Sequence, residues 1–155
     1  MIYSLTDTPE ILSNLVQIHI DRIERYQNAI ENLKAEDQDL KALFVWMIGE
    51  SQKCKGGLLY ELNSLEVDKA QRSTTNGKLD SASMDIPSGF SEHDRQSILE
   101  RCEIGEKVAQ KAYKAAANDS NLPDYLRKKL MQQVRTLKQS YNNVRQLRES
   151  LVVKN

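Results

Sequence analysis

The stretch Thr8–Leu33, TPEILSNLVQIHIDRIERYQNAIENL, decides the fold. Thr8-Pro9-Glu10 is a helix start: a capping hydroxyl, a proline suited to the first helical position and an acid in the first turn. Leu12, Val16, His19, Ile23, Tyr26, Ile30 and Leu33 then recur with alternating spacings of four and three, which predicts one apolar stripe on a long helix. Glu36-Asp37-Gln38-Asp39 breaks the stripe and supplies a fresh cap.

The same pattern repeats along the chain. A second seam reads Leu40, Phe44, Met47, Ser51, Cys54, Leu58, Leu62 and Leu65. Inside it, Gly56-Gly57 costs roughly 1 kcal/mol per glycine against alanine, which predicts a neighbour packed close there. Residues 67–90 lose the period and hold Ser73-Thr74-Thr75-Asn76-Gly77 and Ile86-Pro87-Ser88-Gly89, which is loop chemistry. Ser91 and Asp94 are spaced like a capping box before a third seam of Leu99, Cys102, Glu106, Ala109, Tyr113 and Ala116. Pro123 opens a fourth, with Leu130, Val134, Leu137, Tyr141, Val144 and Leu151.

The expectation is an all-α, antiparallel four-helix bundle formed as one domain over 1–155. Its helices fall at about 9–35, 39–66, 91–117 and 123–152, with a long loop at 67–90. Helices of roughly 25 residues can bury such stripes only against one another. The short first link implies antiparallel neighbours, whereas the long loop leaves both an up-down-up-down order and a crossover open.

Composition limits the function. The 155 residues carry 22 Lys/Arg and 22 Asp/Glu, unevenly placed. Residues 1–50 have 4 Lys/Arg against 9 Asp/Glu, and residues 121–155 have 8 against 2. A basic last helix raises the prospect of an anionic surface or nucleic acid, but no aromatic stacking platform accompanies it, so the simpler reading is a solvated face or a match for the acidic first segment. No apolar run reaches the roughly 18 residues of a membrane span, and the N-terminus lacks a signal-peptide pattern, so the expected setting is cytoplasmic. Cys54 and Cys102 have no metal spacing and read as two small buried residues.

The seams are interrupted by polar residues. His19, Glu106 and Tyr141 stand where the pattern asks for an apolar side chain, with Ser51 and Cys54 as milder cases. Counted from the helix ends they fall near one level, which predicts a polar core layer of His19, Glu106, Tyr141 and Cys54. In that layer Glu106 accepts a hydrogen bond from His19 or Tyr141. Tyr26 and Tyr113 read as core-edge residues with wet hydroxyls. A metal site is the competing reading, with Glu24, Glu61, Glu103 and Glu106 as its carboxylates and His19 beside them. Di-iron bundles use Glu-x-x-His on two helices, and that motif is absent from this sequence. No phosphate loop, nucleophile elbow or Ser/His/Asp arrangement appears, and no catalytic residue is assigned.

Several of these runs resemble a known family. Ile20-Asp21-Arg22-Ile23-Glu24-Arg25-Tyr26-Gln27-Asn28-Ala29-Ile30 is similar to the first helix of the uncharacterised bacterial ferritin-like four-helix-bundle proteins, a family of unknown function. Ile98-Leu99-Glu100-Arg101-Cys102-Glu103-Ile104-Gly105-Glu106 and Lys111-Ala112-Tyr113 resemble its third helix, and Leu122-Pro123 with Val144-Arg145-Gln146-Leu147-Arg148 its fourth. The resemblance implies a ferritin-like fold and a bacterial, stress-associated protein, without implying a reaction. Family members commonly carry histidine at the place of Tyr141 and acids at those of Arg135 and Thr136, so of an inherited iron or manganese site only Glu24, Glu103 and Glu106 survive.

Three functional expectations follow. The first is a non-catalytic structural or interaction protein that needs no cofactor and works with a protein partner or as a homo-oligomer. The second is an iron- or manganese-binding bundle. The third is a binder of anionic surfaces or nucleic acid through helix four.

Overall fold

The computed structural model describes residues 4–68 and 94–154. Among these described residues there are four helices: α1 (Ser4–Glu31), α2 (Gln38–Asp68), α3 (Arg95–Ala117) and α4 (Asp124–Lys154). The chain is an all-α four-helix bundle. The expected loop at 67–90 and the Ser91 half of the capping box lie largely outside the described residues.

The helix ends depart from the sequence expectation in instructive ways. α1 begins upstream of Thr8, so Pro9 lies within the helix. There its missing N–H removes one bond, to the Leu5 carbonyl, close to an end where donors are unpaired anyway. α1 ends at Glu31, and the next two N–H groups reach back only three residues, Asn32 to the Ala29 carbonyl and Leu33 to that of Ile30. This tightened turn closes the helix before residue 35. Asp37 then opens α2, its carbonyl accepting from the N–H groups of both Leu40 and Lys41. α3 starts at Arg95. Asp94 precedes it in an extended conformation, and its side chain makes no cap hydrogen bond.

Side-chain contacts fix the direction of every helix. Along α1 from His19 to Arg22, the α2 partners run backwards, from Ser51 to the Met47 carbonyl. From His19 to Tyr26, the α3 partners run backwards from Tyr113 to Glu106. Both α2 and α3 are therefore antiparallel to α1 and parallel to each other. α4 runs against both, with Glu61 on Lys129 and Glu103 on Arg148. The order is up-down-down-up, and residues 68 and 94 sit at opposite ends of the bundle. The long connection that left topology open in the sequence thus joins two parallel helices.

The core divides into two apolar clusters. Leu12, Leu15, Leu58, Leu122, Leu126, Leu130 and Leu137 fill the end near the α3–α4 connection. Leu40, Phe44, Met47, Ile98, Leu99 and Val144 fill the other, where Tyr26 packs on Phe44 with ring centroids 5.0 Å apart. Gly56 and Gly57 find no tight neighbour: Gly56 faces open space, and a Cβ at Gly57 would make ordinary contacts with Gln133 and Lys129. The close approach occurs instead at Gly105, where a Cβ would fall 2.5 Å from the Arg25 guanidinium carbon.

The far end of the bundle is held by Arg95. Its guanidinium donates to Asp37 at 2.8 Å and to Asp39 at 2.6 Å, tying the start of α3 to the α1–α2 connection. The hydrogen bond from Arg95 holds the Asp39 carboxyl below its ordinary value. A carboxyl depressed on folding stabilises the protein above its unfolded-state pKa, and that contribution fades as pH falls through the folded value. Asp39 is largely exposed, so the pair is worth at most about 1 kcal/mol. Arg95→Gln is expected to lower stability by about that amount at pH 7 and by less at pH 3, measured by urea denaturation at both pH values.

Candidate functional site

A polar layer separates the two apolar clusters, and it is built from all four helices. α1 contributes His19, Arg22 and Tyr26 at spacings of three and four, so they share one face. All three are buried. Ser51 from α2 and Glu106 and Tyr113 from α3 are buried as well. Gln133 enters from α4.

The centre of the layer is an ion pair without access to water. Arg22 donates from Nε to Glu106 Oε2 at 2.8 Å and from Nη2 to Oε1 at 3.0 Å, the two-pronged geometry that suits guanidinium and carboxylate. Tyr26 donates its hydroxyl to Glu106 Oε2 at 2.6 Å. Arg22 Nη1 donates to Ser51 Oγ at 2.5 Å and reaches the Met47 carbonyl at 3.4 Å. Burial alone lowers the Arg22 pKa, but the Glu106 charge and its hydrogen bond outweigh that and hold the guanidinium above its usual value. Burial first, and then the Glu106 charge, raise the Tyr26 hydroxyl, so Tyr26 serves as a donor.

From Ser51 the bonds continue in one direction. Gln133 Nε2 donates to the Cys54 carbonyl at 3.4 Å, which orients the amide and leaves Oε1 to accept from Tyr113 at 2.5 Å. Having spent its proton, the Tyr113 hydroxyl accepts from His19 Nε2 at 2.7 Å. His19 Nδ1 is then the acceptor for Ser51 Oγ–H at 3.0 Å, and Ser51 in turn accepts from Arg22. The relay Arg22→Ser51→His19→Tyr113→Gln133→Cys54 carbonyl assigns the Nε2–H tautomer to a neutral histidine. Burial, helped by the charges of Arg22 and Lys55, drives the His19 pKa down to about 3.

The expected polar layer therefore exists with a different membership. His19 and Glu106 are both in it, but they meet only through Ser51 and Arg22. Glu106 accepts from Arg22 and Tyr26 rather than from His19 or Tyr141. Tyr141 is half-buried on the flank of α4, because the seam keeps Leu130, Leu137 and Val144 but passes through Gln133 and Ser140 in place of Val134 and Tyr141. Cys54 lines the layer through its carbonyl, and burial pushes its thiol up to about 11. Tyr26 and Tyr113 are fully buried donors, not wet core-edge residues. Apolar periodicity passes over Arg22, Gln133 and Ser140, although each lies three residues after one seam position and four before another: Arg22 between His19 and Tyr26, Gln133 between Leu130 and Leu137, Ser140 between Leu137 and Val144.

The candidate metal carboxylates do not converge. Glu24 is exposed on α1. Glu61 pairs with Lys129 at 3.2 Å, and Glu103 with Arg148. Glu106 is occupied by Arg22. Among the described residues no three of His, Cys, Asp and Glu are grouped to hold a metal ion. Among the described residues the carboxylates do not make the donor set of a bridged metal pair. The cation facing the core carboxylate is a guanidinium from the chain itself.

A family model described as a domain of unknown function (DUF2383) matches residues 7–119. The chain belongs to this DUF2383 family. The match spans α1, α2 and α3, and so takes in every residue of the polar layer except Gln133; α4 lies beyond it. No curated protein and no solved structure matches the chain.

The neutral His19 gives this DUF2383 chain a pH signature. With a folded value of about 3 against an ordinary 6.5, the unfolded state binds the extra proton between those limits. Stability is complete above pH 6.5 and falls as pH drops through that window, at up to about 1.4 kcal/mol per pH unit. Urea denaturation from pH 7.5 to 4.5 is expected to show a loss of about 2–3 kcal/mol, most of which disappears in His19→Gln.

Proposed function

We propose that this chain is a non-catalytic structural or interaction module of the DUF2383 family. The supporting observation is that its chemistry-bearing core groups are used up by one another. The Glu106 carboxylate is filled by Arg22 and Tyr26, and neutral His19 is bonded at both ring nitrogens. Such a layer offers neither a free base nor an open ligand position to a substrate.

In this reading the arrangement is ferritin-like, supported by the parallel α2 and α3 and the antiparallel pairs on either side of them. The setting is a bacterial cytoplasm, where two free buried thiols, Cys54 and Cys102, suit a reducing compartment. A stress-associated role belongs to the same proposal. Among the described residues no helix is long and apolar enough to cross a membrane. The iron or manganese reading and the nucleic-acid reading have no comparable support. The candidate carboxylates are dispersed, and Lys129, Arg145 and Arg148 of the basic helix already face Glu61, Glu149 and Glu103.

The test is elemental analysis of protein purified from cells grown with added iron and manganese. The expected result is well under one metal per chain, unchanged in Glu106→Gln. A stoichiometric metal content that Glu106→Gln abolishes would overturn the proposal.

A further inference from the structure

The outward face of α2 is built unlike the rest of the surface. Val45 (54% exposed), Trp46 (45%), Leu59 (38%) and Tyr60 (68%) all stand in water on this one helix. Between the two pairs lie Gly49 and Gly56, and a Cβ on either would meet nothing within 4 Å. Each glycine in a helix interior costs roughly 1 kcal/mol against alanine. Nothing in the bundle explains that cost, because no neighbour comes close.

The placement of these residues is symmetric. Counted from the midpoint between Gln52 and Lys53, Gly49 mirrors Gly56, Trp46 mirrors Leu59 and Val45 mirrors Tyr60. Gly49 and Gly56 are seven residues apart, so they lie on one face two turns apart. A helix whose pattern reads the same from both ends is complementary to an antiparallel copy of itself, which is what a twofold interface requires.

We infer that α2 is the homodimer interface of this protein, packing against α2 of a second copy in antiparallel orientation. This inference rests on the reading of the chain as an interaction module and names its partner. Gly49 lies opposite the partner's Gly56, and the missing side chains let the two backbones approach closely. Val45 and Trp46 lie opposite the partner's Leu59 and Tyr60 and bury their apolar surface there. Lys53 sits beside the twofold axis and pairs with Glu50 at 3.7 Å in its own chain. The axis brings it within reach of the partner's Glu50 as well, so the four charges alternate in sign.

The test is sedimentation velocity on the full chain from roughly 5 to 500 µM, with fluorescence of Trp46, the only tryptophan in the sequence. The expected result is a concentration-dependent shift from the 17.7 kDa monomer toward a dimer, with a blue shift of Trp46 emission. Gly56→Glu places a better helix former at an open position, so the bundle folds at least as well, and the variant should stay monomeric with red-shifted emission throughout. Orientation is read by mixing Gly49→Cys with Gly56→Cys chains under oxidation. The mixed disulfide should dominate, because like positions lie about 10 Å apart in the antiparallel pair, beyond disulfide reach. A chain that stays monomeric across the range, a dimer untouched by Gly56→Glu, or preferential 49–49 linkage would each overturn the inference. A metal-free monomer would sink the dimer alone, whereas a stoichiometric metal would sink the interaction-module reading.

Discussion

Glu106 is a carboxylate with no access to water, and the middle of the bundle is organised around giving it a cation. An isolated charge in such a place is far too costly to keep. Arg22 meets it with two parallel hydrogen bonds, and Tyr26 adds a third. The guanidinium then needs its own remaining donors satisfied, which draws in Ser51 and the Met47 carbonyl. Ser51 donates a hydrogen bond to His19, and the chain of bonds runs on to α4. One buried charge thus sets the partners of six further residues on four helices.

This layer has a structural consequence that apolar packing lacks. Leucine seams tolerate sliding, because one apolar contact can replace another. A one-turn slip of α3 along α1, about 5.4 Å, would separate Arg22 from Glu106 and His19 from Tyr113 together. The layer therefore fixes axial register and helix direction, the best-attested use of buried polar groups. It also places the chemistry of the core out of reach of solvent, so the protein meets its surroundings through its outer faces.

The bundle was legible in the sequence because four long stripes at helical spacing can be buried only against one another, whereas the order of the helices was not. The third helix was read residue for residue: Leu99, Cys102, Glu106, Ala109, Tyr113 and Ala116 are all buried. The layer's membership was not legible, for a specific reason. Along α1, the innermost line passes through Leu15, Arg22 and Ala29, one residue before Val16, Ile23 and Ile30. Those apolar neighbours are themselves buried or half-buried, so a search for apolar recurrence selects the flank and discards the arginine. α4 repeats the situation, with Val134 and Tyr141 drawing attention from Gln133 and Ser140. Periodicity finds the width of a buried stripe, while its centre shows only when the polar residues of different helices are required to satisfy one another.

The central claim is that Arg22 and Glu106 are coupled in the core, and a double-mutant cycle on urea-denaturation stability tests it directly. Arg22→Met and Glu106→Leu each strand one buried charge and should each cost about 3–5 kcal/mol. The double variant removes both charges at similar volume. It should be more stable than the sum of the single losses allows, by at least about 2 kcal/mol, with Tyr26 retaining some cost for its lost acceptor. Single losses below about 1 kcal/mol, or losses that simply add, would contradict the account.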